Sequence, residues 1–421
     1  MRASLTIRRW FVKPETSRNA MLESRMIGLL EDRVKRAGLP ISMTLWNGST
    51  IRPSPDPLLR LTVKSPQALM SLANPSLGRI AKAYVEGQLD LEGDIRETIR
   101  LGEDLVSGDS STYNSRSKVW KWWRHTRPAD RKNIQHHYDV GNDFYGLWLD
   151  RNRVYSCAYY RTSDDTLDAA QEQKLEHICR KLELKPGERF LDIGCGWGGL
   201  ILWAAKHYDV KALGITLSDE QHAYATEKIR ELGLNGRCEV RLMDYRDVRE
   251  DEPFDKIASV GMFEHVGKRN LKAYFRKISN LLKPGGMVMN HGITTNSLED
   301  GELGSGIGDF VDEYVFPGGE LVHVSRVLTE MSGQGLEPWD AECLRPHYSR
   351  TLWEWVSRLE AKQEEARRIV GEKMYRIWRI YMAGSAHAFD RGWISIFQIL
   401  GTKPWPDGSV SYPLTREHVY R

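Results

Sequence analysis

The stretch Phe190–Leu200, "FLDIGCGWGGL", restricts the fold more than any other part of this chain. An apolar run that reaches an acid, Asp192, and then meets Gly194, Gly196 and Gly199 calls for a strand turning tightly into a helix. Glycine permits that turn and lets a ligand approach the backbone closely. Four more apolar runs follow, "VKALGIT", "EVRLM", "FDKIASVG" and "GMVMNHGI", separated by helical patterns. The alternation predicts a doubly wound α/β domain, an open and largely parallel sheet with helices on both faces.

The glycines fit G-x-G-x-x-G, which by itself is a weak signal. A dinucleotide site also wants an acid about 20 residues on, at the end of the second strand. That strand ends in "GITLSDEQ", with Thr216 at the expected position and Asp219 already in the next helix, so NAD(P) and FAD are disfavoured. The acid at the end of the first strand, Asp192, makes the arrangement D-x-G-x-G instead. This resembles the first motif of class I S-adenosylmethionine methyltransferases, whose ligand has an amino-acid end and no phosphate to cradle.

With 421 residues, 41% of them hydrophobic, the chain can bury more than one core. Residues 1–112 form a small N-terminal domain, with a helix near "MIGLLEDRVKRAG", strands in "ISMTLWNG" and "PLLRLTVKS", and a helix-like "PQALMSLANP". Residues 113–133 make a linker whose latter part is basic and rich in tryptophan, and residues 134–421 the catalytic domain. Beyond Ser349 the apolar residues recur at helical spacing, as closing helices would. The five cysteines are odd in number, scattered and free of C-x-x-C pairs, which speaks against a disulfide framework and points to a reducing cytoplasm. No segment approaches the ~20 apolar residues of a membrane span, and the N-terminus lacks a signal peptide's apolar run, so membrane contact is expected to be peripheral.

Several longer strings matter together: "HHYDVGNDFY", "VYSCAYY", "GMFEHVG", "NHGITT", "EYVFPGGEL" and "RPHYSRTLWEW". With the glycine loop and "GITLSDEQ", they resemble the cyclopropane fatty acid synthase family, including the mycolic acid methyltransferases, from about His136 to the C-terminus. The N-terminal unit is similar to the lipid-binding-like domain of the bacterial phospholipid enzymes. The resemblance implies an S-adenosylmethionine site made by Tyr155, Ser156, Asp192, Gly194, Gly196, Thr216 and Gln221. Asp244, Tyr245 and Arg246 would lie beside the adenine, and His137 would help close the pocket. It also implies a bound bicarbonate surrounded by Cys157, Glu264, His291, Ile293 and Tyr348, with Cys157 and Ile293 acting mainly through their backbones. The implied substrate is an unsaturated phospholipid in the membrane and the implied assembly a homodimer. Neither a nucleic-acid partner nor a metal is expected.

The chemistry explains these residue types. An alkene is a poor nucleophile, so it must be held in line with the sulfonium methyl. The cation that forms needs a dry pocket and aromatic faces, for which Tyr155, Tyr159, Tyr314 and Phe316 are candidates. Ring closure then requires a base where a bare carboxylate is expensive to keep charged.

Taken singly, the same residues have plainer readings. Glu264 and His265 fit a hydrogen-bonded turn, His291 a satisfied core histidine, and Tyr348 a cap on a helix beginning near Arg350. Cys157 fits a small buried hydrophobe. His137 and Asp139 have metal-ligand spacing but lack a third ligand. The competing functions are a methylene- or methyl-branching lipid methyltransferase, a lipid-binding or transfer protein, and a small-molecule N- or O-methyltransferase.

Overall fold

Each apolar run around the glycine loop becomes a strand of one sheet. The computed structural model describes residues 15–52, 54–73, 75–106, 113–114, 140–298, 302–304 and 306–420, which divide into two compact units between Ser110 and Ser111. His137, Asp139 and the basic tryptophan segment lie outside the described residues.

The first unit carries strands β1 (Ile41–Leu45), β2 (Thr50–Ile51), β3 (Leu59–Val63) and β4 (Leu89–Glu92) in the order β2-β1-β3-β4. The expected helices become Glu15–Ala37 and Pro66–Ala73. Two further helices, Leu77–Val85 and Ile95–Val106, complete the unit. The latter buries Ile95, Thr98, Leu101 and Leu105. Those three- and four-residue steps line up one face of a helix, which turns that face toward the core.

In the second unit β5 (Tyr113–Asn114) pairs with β11 (Glu302–Leu303) as a short antiparallel ribbon. The main sheet contains β6 (Arg189–Ile193), β7 (Lys211–Thr216), β8 (Cys238–Leu242), β9 (Phe254–Val260), β10 (Leu282–Thr295), β12 (Glu337–Cys343) and β13 (Ile394–Thr402). Its order is β12-β13-β10-β9-β6-β7-β8. Strands β6 to β10 pair in parallel, whereas β13 runs antiparallel to both β10 and β12. The sheet is therefore mixed, and β12 and β13 were not anticipated. "EPWDAEC" and "ISIFQILGT" flank the closing helices, whose longer periodic pattern dominates that region of the sequence.

The closing helices are Arg345–Ala361 and Gln363–Asp390, the second interrupted at Gly371. The first begins at Arg345 and not near Arg350, because Pro346 stands at its first turn, where a missing N–H costs nothing. Tyr348 therefore lies within the helix and is not its cap. Residues alternate along the strands between two buried clusters. Phe190 faces the cluster containing Leu175, Ile178 and Ile201, while Leu191 and Ile193 face the one containing Tyr274 and Phe275. Asp192 thus shares a face with Phe190 and replaces an apolar residue beside the helix Leu167–Lys181.

Candidate active site

The glycine loop closes against the neighbouring strand, with the amides of Gly194 and Cys195 both donating to the Ile215 carbonyl at 3.0 and 2.9 Å. Gly194 and Gly196 have φ of 81° and 55°, left-handed values that a side chain would strain. Beside this loop opens a cleft. Tyr155, Ser156, Asp192, Gly194, Gly196, Thr216, Gln221 and Tyr245 all line it, so eight of the expected cofactor residues meet at one place. Thr216 ends β7 and donates its hydroxyl to Gln221 Oε1 at 2.7 Å, which fixes the amide in the wall. Asp244 and Arg246 are not among the lining residues; they pair with each other at 2.8 Å across the turn that carries Tyr245.

The floor of the cleft is charged. Asp192 is buried, its Oδ1 has no hydrogen-bond partner among the described residues, and burial pushes its carboxyl up to about 7 against the opposing pull of Lys174. Lys174, absent from the sequence reading, is buried with it and donates to Ser156 Oγ at 2.9 Å.

Beyond the cleft, Val260–Met262 lead from β9 into the short helix Phe263–Val266, which carries Glu264. The amide of Ile293 donates to Glu264 Oε1 at 2.6 Å, and the Gly261 amide donates to the His291 carbonyl at 2.8 Å. These bonds join Glu264, His291 and Ile293. They also aim the Ile293 amide at the carboxyl, so its backbone supports Glu264. Gly292 makes this possible, since a Cβ there would meet Phe263 Cε1 at 2.1 Å and Glu264 Oε1 at 3.0 Å.

Glu264 Oε2 and His291 Nε2 are buried with no partner among the described residues. Burial lifts the Glu264 carboxyl to about 7, relieved in part by the Ile293 amide. Burial, reinforced by Lys174 and Lys181, pushes His291 well below its ordinary value and keeps it neutral. Gln398, directly across the strand pair from His291, places its Nε2 3.3 Å from His291 Nδ1. With an amide donor on Nδ1, the ring's own proton resides on Nε2. The chemistry of these two open atoms, an acceptor on a carboxyl and an imidazole N–H, is of the kind that a small oxyanion bearing one hydroxyl, such as bicarbonate, would match.

Cys157 is wholly buried, and its thiol points to the carbonyls of Ala158 and Leu344 at 3.2 and 3.8 Å. Desolvation drives the thiol well above its ordinary value, which removes any nucleophilic thiolate. Leu344 immediately precedes the helix of Tyr348, whose ring packs on Trp355 and Phe389.

The aromatic candidates separate. Tyr155 joins Trp148, Trp355 and Trp378 in a wall and accepts or donates a hydrogen bond with Tyr381, which in turn meets Phe316 edge-on. Tyr314 stacks on Phe310 with Lys373 near its ring. Tyr159 is a correction. Its ring is sandwiched between His177 and His347, at 4.1 and 4.9 Å, so neither face is open to a cation.

A family model described as mycolic acid cyclopropane synthetase matches residues 125–399. The chain belongs to this family. It is 44% identical to a probable fatty acid methyltransferase of Pseudomonas putida over 401 residues, 94% of this chain and 100% of that one. It is 37% identical to the cyclopropane-fatty-acyl-phospholipid synthase of Escherichia coli K12 over 272 residues, 65% of this chain and 68% of that one. Among solved structures, the mycolic acid cyclopropane synthase CmaA1 complexed with SAH and CTAB aligns with a TM-score of 0.60 and 33% identity. The alignment covers 65% of this chain and 98% of that one. The protein is an S-adenosylmethionine-dependent methyltransferase with the class I fold.

Proposed function

We propose that this methyltransferase moves a methyl group from S-adenosylmethionine to the cis double bond of an unsaturated phospholipid acyl chain and closes a cyclopropane ring. The observation that carries this reading is the pair of open, buried polar atoms on Glu264 and His291, beside an aromatic wall that reaches the cofactor cleft. An N- or O-methyltransferase acting on a polar acceptor has little use for a dry base site.

The alkene π electrons attack the sulfonium methyl, breaking the S–CH₃ bond and leaving S-adenosylhomocysteine and a carbocation. Tyr155 lines the cleft and belongs to the aromatic wall that would border that charge. A proton then leaves the new methyl group, and its C–H electrons close the ring. Bicarbonate, held by Glu264 and His291, would supply the base. Glu264 titrates at about 7 and can take or give a proton at neutral pH, while His291 presents its Nε2 proton as a donor.

No described helix is long and apolar enough to cross a membrane. The proposal also includes peripheral docking on the cytoplasmic face of the membrane, where the acyl chains lie, and a homodimeric assembly. The likeness to the Escherichia coli and Pseudomonas putida enzymes supports lipid acceptors in general. The test is to incubate the protein and S-adenosylmethionine with liposomes of unsaturated phospholipid. Methyl esters of the product are then analysed by gas chromatography–mass spectrometry and proton NMR. Upfield cyclopropane protons are expected; exomethylene protons would replace ring closure with methylene branching, and an unmodified acyl chain would overturn the proposal.

A further inference from the structure

Helix Leu167–Lys181 turns three basic side chains inward, Lys174, His177 and Lys181, at the three- and four-residue spacing of one helical stripe. Two of them have carboxylate partners. His177 meets Glu342 at 2.7 Å, and Lys181 meets Glu342 at 2.6 Å and Asp340 at 2.9 Å. Lys174 has none. The residue is 2% exposed, and its ammonium makes one hydrogen bond among the described residues, the 2.9 Å contact to Ser156 Oγ. A buried ammonium carries three donors and is costly to leave without an anion.

The missing anion has a place to sit. Lys174, Ser156 and Asp192 line the same cleft beside the glycine loop. Asp192 brings a buried carboxylate oxygen, Oδ1, that also lacks a partner. One cleft wall thus presents a buried cation and a buried anion, each with hydrogen-bonding capacity left open among the described residues. A ligand carrying an ammonium and a carboxylate on one carbon satisfies both, and the methionyl end of S-adenosylmethionine is such a group.

We propose that Lys174 is the counter-ion for the carboxylate of the cofactor, opposite Asp192, which takes its ammonium. The two side chains form a clamp that reads the amino-acid end of the ligand, and Ser156 steers the Lys174 ammonium toward it. Burial pushes Lys174 down to about 8, against the opposing charges of Asp150, Cys157 and Asp192, and Asp192 up to about 7, against Lys174, so in both groups desolvation outweighs the neighbouring charges. The inference rests on the cleft being the cofactor site. It does not depend on the product or on bicarbonate.

The test compares S-adenosylhomocysteine with its decarboxylated analogue, which keeps the adenosine, thioether and amine, by titration calorimetry. The parent protein should bind S-adenosylhomocysteine at least 10-fold more tightly. Lys174→Met, of similar length and apolar, should erase that preference to within 2-fold, and Lys174→Arg should keep most of it. Equal affinities in the parent, or a full preference surviving in Lys174→Met, would overturn the clamp. Loss of affinity for both ligands alike in Lys174→Met, with the preference intact, would likewise overturn it by showing a purely structural role. Should Lys174→Met fail to fold, the parent comparison and Ser156→Ala, expected to lose part of the preference, decide the matter. Bicarbonate is the rival anion. A Lys174→Met protein that keeps the ligand preference but needs more bicarbonate for turnover would reassign the cation to the base site and overturn the proposal. If the parent binds neither ligand, the cofactor reading of the cleft falls as well, which separates the two failures.

Discussion

Replacing Glu264 with glutamine should raise stability above neutral pH while removing most of the activity. The carboxyl is buried, holds one hydrogen bond from Ile293, and leaves Oε2 without a partner. Burial lifts it from an ordinary value of 4.5 to about 7. Between those two pH values the folded protein holds a proton that the unfolded chain has released. Stability from this group therefore falls as pH rises from 4.5 toward 7, and the whole penalty is present above 7. A displacement of that size corresponds to about 3 kcal/mol when both states are ionised. Glutamine can accept the same bond from Ile293 and carries no charge, so the variant escapes the penalty. Thermal unfolding of the ligand-free protein at pH 5 and pH 8 reads the difference. The variant should nearly match the parent at pH 5 and unfold about 5 °C higher at pH 8, since an unfolding entropy of about 2.1 cal/mol/K per residue over the unit Ser111–Arg421 makes 1 kcal/mol worth about 1.5 °C. Turnover on liposomes should fall by about 10²–10⁴-fold, the usual range for losing general-base help, with affinity for S-adenosylhomocysteine unchanged. A midpoint difference independent of pH would refute the argument from burial, and near-normal turnover would refute the role in proton transfer.

Gly196→Val should weaken S-adenosylhomocysteine binding by at least about 10-fold in calorimetry, because no protein atom lies within 4 Å of the added Cβ and a branched side chain at φ 55° would strain the loop lining the cleft. Cys157→Ala should keep turnover within about 5-fold of the parent, since the raised thiol supplies no nucleophile; complete loss of turnover in a folded, cofactor-binding variant would reassign the thiol. The segment Arg116–Lys132 holds seven Lys or Arg and one acid, with Trp120, Trp122 and Trp123 among them. Near an anionic leaflet each basic residue contributes about 1 kcal/mol, so changing Lys118, Lys121 and Arg124 together to Glu should reduce sedimentation with anionic liposomes at low salt while sparing turnover on detergent-dispersed lipid. Unchanged sedimentation would move the docking site elsewhere.

The glycine loop, the strands around it and the acid Asp192 that faces the loop were legible in the sequence because their signals are local, whereas Thr216 and Gln221 entered as cofactor candidates only through the family strings. A strand's apolar run, the turn chemistry of Gly194 and Gly196 and the cap before a helix all lie within a dozen residues of one another. The family strings extended that reading to Glu264 and His291, whose types alone fit an ordinary turn and an ordinary core residue. Tertiary structure alone decided the rest. Gln398 reaches His291 from 107 residues away because β13 runs antiparallel beside β10, and Glu342 follows in register on β12 to meet Lys181 and His177. Tyr159 looked available until His177 and His347, from two different helices, covered its faces. Lys174 reads in the sequence as one more charge on a polar helix. Only the packing of that helix over β6 strips its ammonium of water and sets it beside Asp192 in the wall of the cleft.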